Sequence, residues 1–324
     1  MDRDANWFVE KVTPEEYESA VADRRVFFNE PRFCELNRDK VDEVEYLLIK
    51  RNESTRFALI LGRRANVAKC PFSAPYSYPV AVKPDATQED IDDALDALEN
   101  HCMEEGISEL YFTFPPLFYD EHLLSGWVSA FYRHRYEVIN LDLSYALNLD
   151  KLNVDEETYV EIVPPKGRKG LRRARRQNLS IVHCETDAEF REAYEIIKIG
   201  HAAKGFPVKL SYEQLMATLE LVEHDAFIVK CGDTGIVAEY LYRINDRIVQ
   251  GIYTGTHPDY ADRNGMNLLT YHTIRHYGNR GFRILDKAAA TESSVPNYGL
   301  ANFKESVGCE RSLKYSFCKR LARG

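Results

Sequence analysis

The chain has 324 residues, 44% of them hydrophobic and 29% charged, with 13 prolines scattered along it. That is the composition of a folded globular protein, and the length exceeds what one hydrophobic core usually holds, so two domains are expected. A net charge of −9 argues against a general affinity for nucleic acid, and no apolar run approaches the roughly 20 residues that span a bilayer.

Met1-Asp2-Arg3-Asp4-Ala5-Asn6 lacks the basic and apolar regions of a signal peptide, so a cytoplasmic location is expected. The seven cysteines agree: they are odd in number, far apart and free of any CxxC pair, which predicts reduced thiols and no metal site.

In chain order, Phe8 to Val12 reads as a strand, and Thr13 with Glu16 forms a capping box for a helix. A second helix is expected from Pro31 to Arg38, then a hairpin of Val44–Lys50 and Phe57–Leu61 around residues 51–55. A third apolar segment lies near Tyr78–Val82. Asp90 to Met103 places Ile91, Leu95, Leu98 and Met103 on one helical face. Leu110–Phe114 reads as a strand, His122–Phe131 as a helix and Tyr136–Leu143 as a closing strand.

The second half repeats this order. Leu179–Cys184 is a strand, Thr186 with Glu189 caps a helix reaching about His201, and Ser211 with Gln214 starts another. Ala226–Cys231, Ile236–Ile244 and Arg247–Gly255 form three antiparallel strands around Gly232-Asp233-Thr234-Gly235 and Asn245-Asp246. Met266 to Tyr277 has helical spacing, and Gly278 and Gly281 stop it. After that helix-sized crossover, Phe282–Asp286 should pair parallel to its predecessor. A short polar helix that begins at Tyr298 and a closing strand, Leu313–Cys318, complete the unit.

Corresponding elements lie roughly 170 to 180 residues apart, the spacing of a duplicated domain. The expected fold class is mixed α/β, two tandem domains covering 1–155 and 156–324, divided where Asp155-Glu156-Glu157 and Pro164-Pro165 break the patterning. Just after this break, Lys166 to Arg176 carries Lys166, Arg168, Lys169, Arg172, Arg173, Arg175 and Arg176 with no acid. Arg168, Arg172 and Arg176 share a helical face, flanked by Lys169 and Arg173. Such a run serves either as a phosphate-binding surface of guanidinium forks or as a solvated face balancing an acidic chain.

The order strand, two helices, three antiparallel strands, helix, parallel strand, helix, strand resembles the GNAT acyltransferase fold. In that fold the fourth and fifth strands splay into a cleft that holds the acyl donor, here between Gln250–Gly255 and Ile284–Asp286. Two segments narrow the likeness. Lys169-Gly170-Leu171-Arg172-Arg173-Ala174-Arg175-Arg176-Gln177-Asn178-Leu179 is similar to the basic segment opening the second domain of the Fem family of peptidoglycan-bridge aminoacyltransferases. Tyr298-Gly299-Leu300-Ala301-Asn302-Phe303-Lys304-Glu305-Ser306-Val307-Gly308 resembles that family's gly-leu, phe-lys, phe-gly element, with Val307 where an aromatic is usual.

The resemblance implies an acyltransferase moving an aminoacyl or acyl group to an amine such as that of a bacterial cell-wall precursor. Lys304 would stabilise the oxyanion and Phe303 would position it; a solvated lysine is the plainer alternative. The basic run would hold a phosphate-bearing partner: a nucleotide- or lipid-linked precursor, or an aminoacyl-tRNA. Asp286, at the end of the parallel strand, is a candidate for orienting an amine, and Tyr253 and Tyr298 are candidates for substrate contact; each has a structural alternative. His272 and His276, four apart, read as surface or core residues because no HExxH pattern accompanies them.

A CoA-dependent GNAT enzyme usually has a glycine-rich loop between the fourth strand and its helix, where backbone amides grip pyrophosphate. Residues 256–266 hold one glycine, and Arg263, Asn264 and Gly265 are the candidates left for a phosphate. The preferred reading therefore needs no cofactor. Acyl-CoA as donor to a small amine or surface sugar is the second reading, and a non-catalytic anion-binding module the third.

Overall fold

The structure, a computed structural model, describes residues 5–22 and 26–321, so the first four residues weighed above as a leader lie outside the described residues. Two compact units divide the chain: Met1–Asp142 with Leu313–Gly324, and Leu143–Ser312. The expected division at 155 and these units differ, because the last strand returns to the first unit.

The chain runs β1 (Trp7–Val12), α1 (Pro14–Ala20), α2 (Pro31–Leu36), β2 (Glu43–Arg51), β3 (Ser54–Arg64), β4 (Val67–Cys70), β5 (Val80–Ala81), α3 (Gln88–Glu104), β6 (Glu109–Thr113), α4 (Glu121–Arg133) and β7 (Glu137–Asn148). Short-range chemistry starts these helices as expected: the Thr13 hydroxyl accepts from Glu16 N while the Glu16 carboxylate accepts from Thr13 N. β1, β2 and β3 pair antiparallel, and the β2–β3 turn is tighter than expected because Asn52 adopts φ 53. β4 pairs parallel with β6. At four residues it was too short to register in the sequence. The core gathers Phe57, Phe112, Phe114, Trp127 and Phe131, with the Trp127 indole N–H donating to Pro79 O at 3.1 Å.

The second half follows as α5 (Leu149–Leu152), α6 (Glu156–Ile162), α7 (Pro165–Arg175), β8 (Leu179–His183), α8 (Asp187–Ala202), α9 (Tyr212–Leu219), β9 (His224–Cys231), β10 (Thr234–Arg243), β11 (Ile248–Thr256), α10 (Gly265–Gly278), β12 (Ile284–Ala289), β13 (Thr291–Glu292), β14 (Val295–Pro296), α11 (Tyr298–Ser306) and β15 (Glu310–Arg320). The duplicated order is therefore present. β8 to β11 form an antiparallel run, and β12 joins β11 parallel.

The closing strands differ from expectation. Residues 316–320 of β15 pair with β6 in the first unit, where Phe317 packs on Phe114 and Phe131. Residues 144–148 of β7 pair with β12 in the second unit, placing Tyr145 and Leu147 in its core. Both strands alternate apolar and polar residues, so either pairing satisfies the period, and the facing side chains choose between them.

The basic segment is helical because Pro165 suits a first helical position and because Gly167, Gly170, Leu171 and Ala174 make one buried face. That face packs on α10 and α11 at backbone distance. A Cβ on Gly167 would lie 1.8 Å from the Ser306 carbonyl oxygen, and one on Gly170 would lie 2.7 Å from the Asn267 side chain. Gly167→Val should therefore destabilise the protein by at least about 1–3 kcal/mol, read as a lower urea midpoint, since the obstacle is backbone and cannot swing aside.

Candidate active site

β11 and β12 pair only over Ile248↔Ile284, Val249↔Leu285 and Gln250↔Asp286. Beyond that point they part, as expected for the cleft, and a fork opens at Gly251 on one side and Lys287 on the other. β10 enters the same place, since its register with β11 shifts between Tyr240 and Leu241.

A buried ion pair crosses this fork. Glu239 of β10 is fully buried, Lys287 of β12 is 8% exposed, and the Lys287 ammonium donates to Glu239 Oε1. The Thr254 hydroxyl donates to the same oxygen at 3.1 Å. Glu239 Oε2 is buried with no hydrogen-bond partner. The carboxylate passes over Gly251, where a Cβ would come within 2.5 Å of Oε1. A side chain there would displace it, which gives that glycine its place.

Lys304 lies beside the pair. It is 5% exposed, and its Nζ donates to Ala288 O and Ala289 O, both at 2.9 Å. Burial lowers its pKa to about 8; Lys287 adds to the fall, and Cys309, Asp286 and Glu239 oppose it. Two of the three ammonium donors are used by these carbonyls, leaving one for a further acceptor. The Tyr145 ring lies 5.6 Å from the ammonium.

Asp286 builds the seat for that lysine. It is fully buried, and its Oδ1 accepts from Ala288 N at 2.7 Å. Ala288 has φ 60, a left-handed conformation costly for a residue with a Cβ. The carboxylate holds this kink, and the kink turns the two carbonyls toward Lys304. Phe303, next to Lys304 on α11, is half-buried against the core of the second unit.

The remaining candidates are spread more widely. Tyr253 lies opposite Tyr240, whose hydroxyl donates to Phe190 O of α8, so both are on the sheet face away from Glu239; burial pushes the Tyr253 phenol up. Tyr298 is 72% exposed at the start of α11. On α7, Lys169, Arg172, Arg173 and Arg176 are exposed and make no ion pair among the described residues. Arg168 instead turns back to donate to Glu161 O at 3.3 Å, and Arg175 pairs with Glu156 at 2.6 Å. Through Gly167 and Ser306, the basic helix and the Lys304 helix are in direct contact.

Arg263, Asn264 and Gly265 form the entry to α10. Arg263 Nη1 donates to Gln177 Oε1 at 3.1 Å, Asn264 takes φ 57, and Gly265 is buried against Val237 and Ile236. The lone glycine of this loop thus serves packing, and the guanidinium is tied to the end of α7. His272 and His276 pack around Phe227 on the far part of α10, and burial lowers both.

The first unit has a comparable parting of β4 from β6, which its own chain fills. Ser77 N donates to Thr113 O at 2.9 Å, Tyr76 OH donates to Tyr119 OH at 2.6 Å, and the Phe72 ring covers Gly62.

Sequence reasoning missed Glu239 and Lys287. The available signal was one acid inside the apolar run Ile236–Tyr242, at a position where the strand period predicts burial.

Residues 165–298 match the acetyltransferase (GNAT) domain family. No curated protein matches the chain. Among solved structures, FemX is similar at 10% identity and TM-score 0.68 over 97% of each chain. The C-terminal domain of a putative lysylphosphatidylglycerol synthetase from Agrobacterium fabrum is similar at 12% identity and TM-score 0.58, over 94% of this chain and 92% of that one. A tandem GNAT protein from the clavulanic acid biosynthesis pathway is similar at 10% identity and TM-score 0.54, over 98% of this chain and 100% of that one. At these identities the likeness is one of fold. No helix of the described residues is long and apolar enough to cross a membrane. Residues 165–298 thus form a GNAT domain, and the chain has a fold like that of FemX over nearly its whole length.

Proposed function

We propose that the fork of the second unit transfers an aminoacyl or acyl group to an amine, on a phosphate-bearing acceptor such as a nucleotide- or lipid-linked cell-wall precursor. The observation carrying this reading is Lys304, a buried ammonium with one unused donor at the point where β11 and β12 separate. In such a transfer the acceptor nitrogen attacks the acyl carbonyl carbon, a C–N bond forms, and the bond to the leaving oxygen breaks. The attacking amine's proton goes to that leaving group. Negative charge develops on the carbonyl oxygen, and a fixed donor in a dry site stabilises it more than water does. The similar fold of a putative lysylphosphatidylglycerol synthetase, a protein named for a lysyl product, supports an aminoacyl donor. The single glycine in residues 256–266, where a CoA-binding loop is glycine-rich, supports a donor other than acyl-CoA.

The test is mass spectrometry of a nucleotide-linked peptide precursor incubated with the protein and either aminoacyl-tRNA or acetyl-CoA. The expected result is one added aminoacyl residue with the first donor and none with the second; acetylation alone would overturn the reading in favour of CoA chemistry. The exposed cations of α7 are proposed to hold the acceptor's phosphates. R172E/R176E should then raise KM for that precursor about ten- to a hundredfold with kcat nearly unchanged, and the effect should shrink as salt rises.

A further inference from the structure

The Glu239 carboxylate is used on one side only. Oε1 receives both Lys287 and Thr254, while Oε2, equally buried, receives nothing. A buried carboxylate oxygen without a donor is rare, because desolvation is not compensated. Its neighbours explain why no protein group fills the gap. Gly251 brings no side chain, and β11 and β12 have stopped pairing there. The oxygen therefore sits at the apex of the fork.

Resting on the acyl-transfer reading, we propose that Glu239 Oε2 receives the α-amino group of an aminoacyl donor, so that this fork selects aminoacyl groups and rejects plain acyl groups. The geometry fits a single small ligand. In an aminoacyl group the α-nitrogen and the carbonyl carbon are both bonded to one Cα, so the carbonyl oxygen and the amine lie close together. Lys304 is anchored at Ala288 and Ala289, and Glu239 is anchored at Lys287, the residue before them on the same strand. A carbonyl oxygen on Lys304 thus directs its α-substituent toward Glu239. The amine donates N–H whether or not it is protonated. Glu239 and Asp286 balance Lys287 and Lys304 in formal charge, so the fork needs a donor rather than a counter-ion. An acyl group lacking the amine would leave Oε2 buried and unpaired. Sites built to bind a polar hydrogen reject analogues lacking it by factors up to about 10⁴–10⁵.

The experiment is calorimetric titration of the full chain with two stable donor analogues, the alanyl and propionyl amides of 3′-amino-3′-deoxyadenosine, which differ only in the amino group. Wild type is expected to bind the alanyl compound at least about thirtyfold more tightly. In E239L/K287M, which removes both charges, the ratio should fall below about three through weaker alanyl binding, with propionyl binding kept. Glu239→Gln, for use where the double variant does not fold, should lower the ratio to below about ten. Equal wild-type binding of the two amides, or an unchanged ratio in a folded variant, would overturn the assignment of Glu239 and leave acyl transfer standing. Binding of neither amide by wild type would overturn both the aminoacyl-donor reading and this inference.

Discussion

Replacing Lys304 by methionine is expected to lower turnover by roughly 10²–10³, the usual loss when one oxyanion donor is removed. The pH profile separates this role from a structural one. Burial brings the Lys304 ammonium to about 8, below its ordinary 10.5. Turnover that depends on the ammonium should hold below about pH 8 and fall tenfold per unit above it. Stability moves the other way. The folded value lies below the unfolded one, so between about 8 and 10.5 the unfolded chain holds more protons, and folding gains as pH rises through that window. An alkaline loss of rate with an unchanged or improved urea midpoint is therefore the signature of catalysis by the charged form. Lys304→Arg keeps its charge, and should show a lower rate with a flat alkaline limb. Full wild-type turnover in Lys304→Met would remove this lysine from the chemistry.

The parts of this fold that were legible in the sequence are those decided within a few residues. The boxes at Thr13, Thr186 and Ser211 form as read because side chain and backbone partners lie three residues apart. The parallel placement of β12 follows from the length of the α10 crossover. The choice of closing strands did not follow, because β7 and β15 have similar patterns and their partners lie far away in sequence. The site divides in the same way. Lys304, implied by a family motif, and Asp286, read from a strand end, come together at the fork. The Glu239–Lys287 pair depends on a register shift between Tyr240 and Leu241 and on the missing side chain of Gly251, neither of which has a local signature. Arg168 illustrates the limit of helical spacing. It shares a face with Arg172 and Arg176, yet Glu161 O draws its guanidinium back toward α6.

Breaking the fork's ion pair from one side should be far more damaging than deleting it. Glu239→Leu leaves the Lys287 ammonium buried without its carboxylate, and Lys287→Met leaves that carboxylate with Thr254 alone. Each single change is expected to cost about 3–5 kcal/mol, because an uncompensated buried charge remains. In E239L/K287M no charge is left and the volume is largely kept, so stability should return to within about 1 kcal/mol of wild type or exceed it. Urea unfolding reads the magnitude, and hydrogen exchange of peptides covering β10 to β12 reads its location. A double variant as unstable as the singles would mean that packing around Glu239, rather than charge, holds this place together. If the double variant is stable, an apolar pair serves the fold as well as the ionic one. What only the ionic pair supplies is then a polar oxygen held at the apex of a fork, beside an ammonium with a donor to spare.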